Sequence, residues 1–331
     1  MQHVPFGRTG LRVSRLCLGT MTFGAQCDEA TSFAIMDTAL EAGITFFDTA
    51  DMYPVNGYPD KVGLTEEIIG RWMTGRRKDV IVATKCYFPT GKRAWEQGNS
   101  RHNIIRAVDT SLRRLGTDHI DLYQLHGWDP VTPIDETLQT LDDVVRSGKV
   151  RCVGCSNLLA YQLARSLGRS EAMGTVRFTS VQPRYNLLFR EMEREMLPLC
   201  ADEQIAVIPY NPLAGGMLTG KHRADADAAG SRFDVSLGQQ GARYRERYWN
   251  DRAFDVVEAV SALAAEAGVQ PATLAMQWVL ANPTITSPIV GASRPEQLAA
   301  AVAAVNTPLD PVLKAQLDGL SHEFRFGDSL R

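Results

Sequence analysis

Cysteine is scarce in this chain, six residues among 331. They are spread thinly, at 17, 27, 86, 152, 155 and 200, and mostly sit inside apolar runs, the pattern of reduced thiols rather than of a disulfide framework. No charge sign dominates: 35 Lys and Arg against 38 Asp and Glu leave a net charge of −3. That excludes the basic footprint of a nucleic-acid binder or of a protein held at an anionic membrane. No apolar run approaches the roughly 20 residues that cross a bilayer. The opening MQHVPFGRTGLRV lacks the apolar core of a signal peptide, so a cytoplasmic protein is expected. Histidine is limited to six residues, with no H-x-H or H-E-x-x-H pair, and no metal is expected. The phosphate turn of a doubly wound sheet, G-x-G-x-x-G, is also missing.

What is present is alternation. Hydrophobic residues make up 44% and charged residues 22%, enough to bury a large core. Short apolar runs at 16–19, 45–48, 80–85, 120–125, 150–153, 179–182, 205–209 and 285–290 read as strands. Helical patterns lie between them. In 134–147, Ile134, Leu138, Leu141, Val144 and Val145 share one face, and in 103–115 Ile104, Ile105, Val108, Leu112 and Leu115 do the same. Continuous apolar strands separated by helices indicate a parallel sheet covered by helices. Eight of them indicate a closed α/β barrel, the (β/α)₈ TIM barrel. Residues 3–14 read as an N-terminal β-hairpin that plugs one end, and an extra C-terminal helix is expected near 310–320. Long loops follow the third strand (86–102) and the seventh (210–250). With no linker or internal repeat, residues 1–331 read as a single domain.

In such a barrel the chemistry sits at the C-terminal ends of the strands. The second strand ends in Asp48, the third in Lys85, and the fourth runs directly into His126. Tyr53 follows Asp48 closely enough for its loop to fold back over the mouth. Each alone is as readily an ion pair, a core histidine or a packing residue. Together they place a carboxylate, an ammonium, an imidazole and a phenol at one face. Neighbouring positive charge favours an ionised phenol, so Lys85 is expected to lower the pKa of Tyr53, with Asp48 keeping Lys85 protonated. The set reads as a proton donor with its tuning groups.

The stretches LGTMTFG (18–24), FFDTADMY (46–53), ATK (83–85), DLYQLHGWD (121–129), VGCSN (153–157), SVQPRYN (180–186), PYNPLAGGMLTGK (209–221) and IVGASRPEQL (289–298) resemble those of the aldo-keto reductases. The resemblance runs from Gly10 to about Leu298 and is greatest to the group of bacterial general aldo-keto reductases and potassium-channel β subunits. It implies that Tyr53 gives the proton to the substrate oxygen, that Asp48 and Lys85 tune it, and that His126 orients the carbonyl. The implied reaction is NADPH-dependent reduction of an aldehyde or ketone. The oxidative direction, an NADP-dependent alcohol or sugar dehydrogenase, is a second reading. A third is a cofactor-bearing regulatory subunit with weak turnover, against which the retained His126 argues.

Barrels bind phosphate at the loops after strands seven and eight. Here these are Leu213-Ala214-Gly215-Gly216 and Gly291-Ala292-Ser293-Arg294. The glycines let backbone N–H groups approach, and Ser293-Arg294 opens a helix whose positive end favours an anion. Arg294 suits a 2′-phosphate, with Lys221 and Arg232 as further cations. The resemblance implies the same, favouring NADPH (NADP⁺) with NADH as a weaker alternative. It also assigns Ser156, Asn157 and Gln182 to the carboxamide and Tyr210 to stacking on the nicotinamide. Gly19, Thr20, Met21, Gln26, Asp48, Asn211, Pro212 and Gln297 are further cofactor positions on the same grounds. Relatives often carry Glu-Asn where Ala300 and Ala301 stand, which leaves the adenine end open.

Two other motifs are set aside. GGMLTGKH (215–222) is one residue short of a nucleotide-binding phosphate loop, with His222 where a hydroxyl should bind Mg²⁺. Cys152 and Cys155 form a lone C-x-x-C whose thiols should point to opposite faces of a strand. Rim aromatics Phe23, Tyr87, Phe88, Trp95 and Trp128 are pocket candidates, with Tyr87 and Trp128 taken as substrate positions. The expected partner is a small-molecule carbonyl compound, with no nucleic acid and no membrane; the sequence leaves a homo-oligomer open.

Overall fold

The computed structural model describes residues 1–55, 59–225 and 228–326. The chain opens with a hairpin, β1 (His3–Pro5) and β2 (Arg12–Ser14), paired antiparallel. Eight parallel strands follow: β3 (Cys17–Gly19), β4 (Phe46–Asp48), β5 (Ile81–Cys86), β6 (Ile120–Leu125), β7 (Val150–Ser156), β8 (Ser180–Gln182), β9 (Ala206–Val207) and β10 (Ile289–Gly291). Neighbours pair in the order β10-β3-β4-β5-β6-β7-β8-β9. The ends of that order meet where Thr286 N–H donates to the Val207 carbonyl and Ile289 N–H to that of Pro209, both at 2.8 Å. The sheet thus closes into the expected (β/α)₈ barrel.

Helices α1 (Glu29–Glu41), α2 (Leu64–Trp72), α3 (Arg101–Leu115), α4 (Ile134–Arg146), α5 (Ala160–Met173) and α6 (Met196–Asp202) lie between consecutive strands from β3 to β9. After β9 come α7 (Gln239–Tyr248), α8 (Asp251–Glu266) and α9 (Pro271–Leu280); α10 (Ala299–Asn306) and α11 (Pro311–Leu320) follow β10. Ser100 caps α3 by accepting from Asn103 N–H, and Gly116 ends it in the left-handed region. One residue of the expected α3 face is misplaced: Ile105 points outward and is 36% exposed, because the buried stripe runs through Ile104, Ala107, Val108 and Leu115. The last strand starts later than the apolar run beginning at 285. Pro288 has no N–H for the ladder, so Ile285 makes only an isolated bridge to Val207.

Strand alternation divides the core. Leu18, Phe47, Val82, Tyr123, Val153, Val181 and Val207 point outward into the layer beneath the helices. Cys17, Phe46, Ala83, Leu122 and Ile289 point inward, and the hairpin closes that end by setting Phe6 edge-on to Phe46 at 5.9 Å. Cys155 belongs to the outer layer and Cys152 borders the inner one, so the two thiols face opposite ways. The next inward step along the strands carries Asp48, Lys85, Gln124 and Gln182 in place of carbon.

Candidate active site

Asp48 is 3% exposed and each of its oxygens is occupied. Oδ1 accepts from Lys85 Nζ at 2.5 Å, and Oδ2 accepts from Gln124 Nε2 and Gln182 Nε2, both at 2.9 Å. Lys85 also donates to the Thr49 carbonyl at 2.7 Å and has no exposed surface. Burial pulls the ammonium's pKa down, but Asp48 and Tyr53 facing it more than offset this and the pKa stands above its ordinary value. Gln124 escaped the sequence reading. Its signal was there: it is a polar residue two positions after the inward Leu122 on an apolar strand, and Gly154 beside it leaves room for its stem.

Tyr53 is buried, with Lys85 Nζ 5.0 Å from its ring centroid. Its backbone carbonyl accepts from Gly63 and Thr65 N–H at 3.0 and 3.4 Å. Arg114 of α3 braces the same loop, donating to the Asp51 and Val62 carbonyls at 3.1 and 3.2 Å and to the buried Glu66 carboxylate at 3.3 Å. Arg114 and Glu66 also escaped the sequence reading, since their pairing joins α2 to α3 and no local pattern announces it. The expected lowering of the Tyr53 pKa is reversed. Burial raises it, Lys85 opposes, and the phenol ends above its ordinary value of 10. The phenol therefore keeps its proton at neutral pH.

His126 lies edge-on to Tyr53, centroids 5.7 Å apart, and edge-on to Phe88 at 4.9 Å. Burial, and then the Lys85 charge, drop its pKa well below 6.5, so the ring is neutral. Its Nδ1 is buried, with no hydrogen-bond partner among the described residues. Tyr87 and Phe88 extend this wall, and Gly127 makes it fit: a Cβ there would stand 2.9 Å from the Tyr87 ring.

A cleft of about 1720 Å³ runs across the barrel mouth. Of the sequence-derived cofactor positions, all line it except Ala214, which is buried in the apolar core beneath the loop. Tyr53, His126, Tyr87 and Trp128 also line it, while Lys85 lies under the floor. Of the remaining rim aromatics, Phe88 lines the cleft; Phe23 is a fully buried core residue, and Trp95 is 54% exposed on the loop after β5, against His102.

Gln182, on the cleft wall, is also part of the Asp48 network. Both N–H bonds of its Nε2 are engaged, one with Asp48 and one with Gln124 Oε1 at 3.1 Å, leaving Oε1 as its remaining polar atom. Asn157, at φ 58°, knits the rim together. It donates to the His126 carbonyl at 2.9 Å and to Ser156 Oγ at 3.1 Å, and accepts from the Tyr210 hydroxyl at 2.9 Å. Ser156 Oγ in turn donates to the Gln182 carbonyl at 2.8 Å.

Ala214, Gly215 and Gly216 are consecutive positive-φ residues, at 50°, 71° and 101°, held by Asn211 Oδ1 accepting from Gly215 N–H. Their N–H groups are engaged within the loop, Ala214 donating to the Asn211 carbonyl and Gly216 to that of Leu213, both at 2.9 Å, so the turn offers the cleft closely approachable backbone rather than free donors. On the far side, Gln297 Oε1 accepts from both Ser293 N–H (2.8 Å) and Ser293 Oγ (3.3 Å), tying the turn ahead of the Pro295–Leu298 helical turn and α10. Ala300 and Ala301 line this end. The excursion after β9 is not a bare loop. It folds back as α7, where the Tyr244 hydroxyl accepts from Arg232 Nη1 at 2.8 Å. A Cβ on Gly291 would stand 3.1 Å from Arg232 Nη2, so this strap reaches across to the loop after β10. Lys221, Arg232 and Arg294 all line the cleft and give it positive charge.

Among the described residues, no helix is long and apolar enough to cross a membrane, and no cluster of three or more His, Cys, Asp or Glu is arranged to hold a metal ion. Residues 15–322 match the family model described as the aldo/keto reductase family. The chain is 41% identical over 328 residues to an uncharacterized oxidoreductase, YrpG, of Bacillus subtilis, covering 97% of this chain and 96% of that one. It is 32% identical over 350 residues to the protein Tas of Escherichia coli, covering 98% and 99%. It is 33% identical over 337 residues to a versiconal hemiacetal acetate reductase of Aspergillus parasiticus, covering 94% of each.

Proposed function

Since this chain belongs to the aldo/keto reductase family and is an oxidoreductase, we propose that it reduces an aldehyde or ketone to the alcohol with NADPH, using Tyr53 as proton donor. The observation that carries the reading is the buried phenol beside the Lys85–Asp48 pair, next to a neutral histidine. The residues of the cleft fit the cofactor: a turn at 215–216 whose glycines let a ligand approach the backbone closely, a second loop kept bare at Gly291, and the three cations Lys221, Arg232 and Arg294 along the cleft. Arg232 and Arg294 favour the 2′-phosphorylated form. When bound, the reduced dinucleotide supplies the hydride.

The protein's own residues do the rest. Tyr53 holds its proton at neutral pH and delivers it to the carbonyl oxygen as negative charge develops there. Lys85, fixed by Asp48, stabilises the phenolate that remains. Neutral His126 has an N–H to direct at the same oxygen, which positions the substrate. Gln124 and Gln182 hold the Asp48 carboxylate so that Lys85 cannot swing away. The aromatic wall of Tyr87, Phe88 and Trp128 shields the reacting atoms from water.

Substituting Tyr53→Phe tests the reading. Carbonyl reduction should fall by about 10³-fold or more, as expected when a general acid is lost, while NADPH binding measured by fluorescence titration is retained. Turnover at the wild-type rate in that variant removes Tyr53 from the mechanism.

A further inference from the structure

Tyr53 stands on the connection from β4 to α2, and one side chain outside the cleft grips that connection from both ends. Arg114, in the last turn of α3, donates through Nη1 to the Asp51 carbonyl at 3.1 Å and through Nη2 to the Val62 carbonyl at 3.2 Å. Asp51 lies two residues before Tyr53. Val62 precedes Gly63, whose N–H donates to the Tyr53 carbonyl at 3.0 Å. A single planar fork thus closes the loop at its neck, which the compact ammonium of a lysine is poorly shaped to do.

Glycine makes room for the fork. Gly63 has φ 87°, and a Cβ there would overlap the Arg114 guanidinium, so the guanidinium packs directly on bare backbone. A Cβ on Gly70 would overlap the Arg114 carbonyl, so α2 approaches α3 closely at the same residue.

The fork is itself anchored to the strand that carries Lys85. Arg114 Nη1 reaches the Glu66 carboxylate at 3.3 Å, and Glu66 has no exposed surface. The other oxygen of Glu66 accepts from Thr84 Oγ1 at 2.7 Å. Thr84 directly precedes Lys85 on β5, and strand alternation sends Lys85 inward to Asp48 and Thr84 outward to α2. Tyr53 and Lys85 are therefore fixed to each other through Arg114, Glu66 and Thr84, besides their direct approach of 5.0 Å from Nζ to ring centroid. Among the described residues, those lining the cleft include neither Arg114 nor Glu66.

We propose that Arg114, anchored by Glu66, is a positioning residue for proton transfer: it holds Tyr53 against Lys85, and turnover depends on it although it lies outside the cleft. This rests on the reading of Tyr53 as proton donor. The experiment measures reduction of benzaldehyde and of butanal by NADPH absorbance, with NADPH binding followed by fluorescence titration. Arg114→Met is combined with Glu66→Gln, so that no buried carboxylate is left without its cation.

In that double variant kcat should fall by about 30–100-fold, the cost of a displacement of about 1 Å at the reacting group. KM and the NADPH dissociation constant should stay within about twofold, because the lost interaction serves only the transition state. Arg114→Lys keeps a charge beside Glu66 but cannot fork to both carbonyls, and its kcat should fall by about tenfold. In a Tyr53→Phe background the double variant should lower the residual rate no further, since Arg114 acts through the phenol.

Wild-type kcat in the folded double variant overturns the positioning role. So does a loss of NADPH affinity as large as the loss in kcat, which makes the brace merely structural, and so does an equal further loss in the Tyr53→Phe background. Where the double variant does not fold, Arg114→Lys decides, and wild-type kcat in it overturns the proposal. Tyr53→Phe at the wild-type rate overturns the donor reading instead, and the proposal with it. No turnover of either aldehyde by the wild type overturns the reductase reading and this one together.

Discussion

The ring of Tyr244 occupies the space where a side chain on Gly215 would begin: a Cβ there would stand 2.7 Å from the ring edge. Gly215 belongs to the loop after the seventh barrel strand, and Tyr244 to the helix that folds back over it. Their contact sets how closely the strap closes on the 214–216 turn, and the Arg232–Tyr244 hydrogen bond continues that closure toward Gly291.

Gly215→Ala should therefore carry two penalties. A non-glycine residue at φ 71° costs about 1–2 kcal/mol, and displacing Tyr244 costs about as much again through overpacking. Denaturant unfolding should show a loss of about 2–4 kcal/mol from these combined terms. NADPH affinity should fall by about tenfold or more, since Arg232 loses its support and a charged hydrogen bond carries about 1.5–3 kcal/mol. An unaltered dissociation constant would detach the strap from cofactor binding.

Removing one partner of the buried ion pair is costlier than removing both. Lys85→Met leaves the Asp48 carboxylate with two amide donors and no cation, in a site 3% exposed. The expected destabilisation is about 3–5 kcal/mol, the range for an orphaned buried charge. Adding Asp48→Asn to Lys85→Met should recover part of it, and a double-mutant cycle by urea unfolding measures the coupling. Strict additivity would contradict the pairing.

The pH profile follows from two opposite shifts. His126 has its pKa pushed well below 6.5 and Tyr53 above 10, so neither group titrates between these values. The kcat/KM for carbonyl reduction should be flat from about pH 6.5 to pH 10, and fall only outside that window. A depressed histidine pKa favours the neutral folded form, so its stabilising contribution is complete above 6.5 and is lost as pH falls through the folded-state value. His126→Gln should flatten the acid limb of the stability curve. An inflection near 6.5 in the wild-type rate profile that vanishes in this variant would mean the ring is charged in the working enzyme.

Asp51 shows the reverse sign. It is 1% exposed, its Oδ1 has no hydrogen-bond partner among the described residues, and burial, with Glu66 adding to it, raises its pKa well above 3.8. Its folded form is favoured when protonated, so the stability it contributes is full below pH 3.8 and is lost as pH rises through the folded-state value. Asp51→Asn should match the wild type near pH 4 and exceed it at pH 7. Thermal unfolding at the two pH values checks this, and a variant less stable than wild type at pH 7 refutes it.

The proton-donor candidates were legible because strand order is itself geometric information. Asp48, Lys85 and His126 end three consecutive apolar strands, and parallel strands in register bring such ends to one face. Gln124 needed one further step, the inward-outward alternation counted from Leu122. Glycine marked the two loops proposed for phosphate, but not that the N–H groups of 214–216 would be spent inside their own loop. The Arg114–Glu66 brace was not legible, because it joins residues 48 positions apart on two helices whose packing no local spacing encodes. The direction of the Tyr53 pKa was misjudged for a related reason: a neighbouring cation can be read from the sequence, whereas the depth of burial that outweighs it cannot.

The sequence by itself determined the alternation of strands and helices, the barrel that follows from eight such units, and which residue types stand at its mouth. These depend on periodicity and on the two-residue repeat of a strand, both of which are properties of local chain geometry. Tertiary structure decided that Gln182 spends its amide on Asp48, that Trp95 stands away from the cleft, and that α7 folds back to pack Tyr244 on Gly215. Each of these is set by distances between elements far apart in the chain and by the exclusion of water where they meet, which no stretch of sequence carries alone.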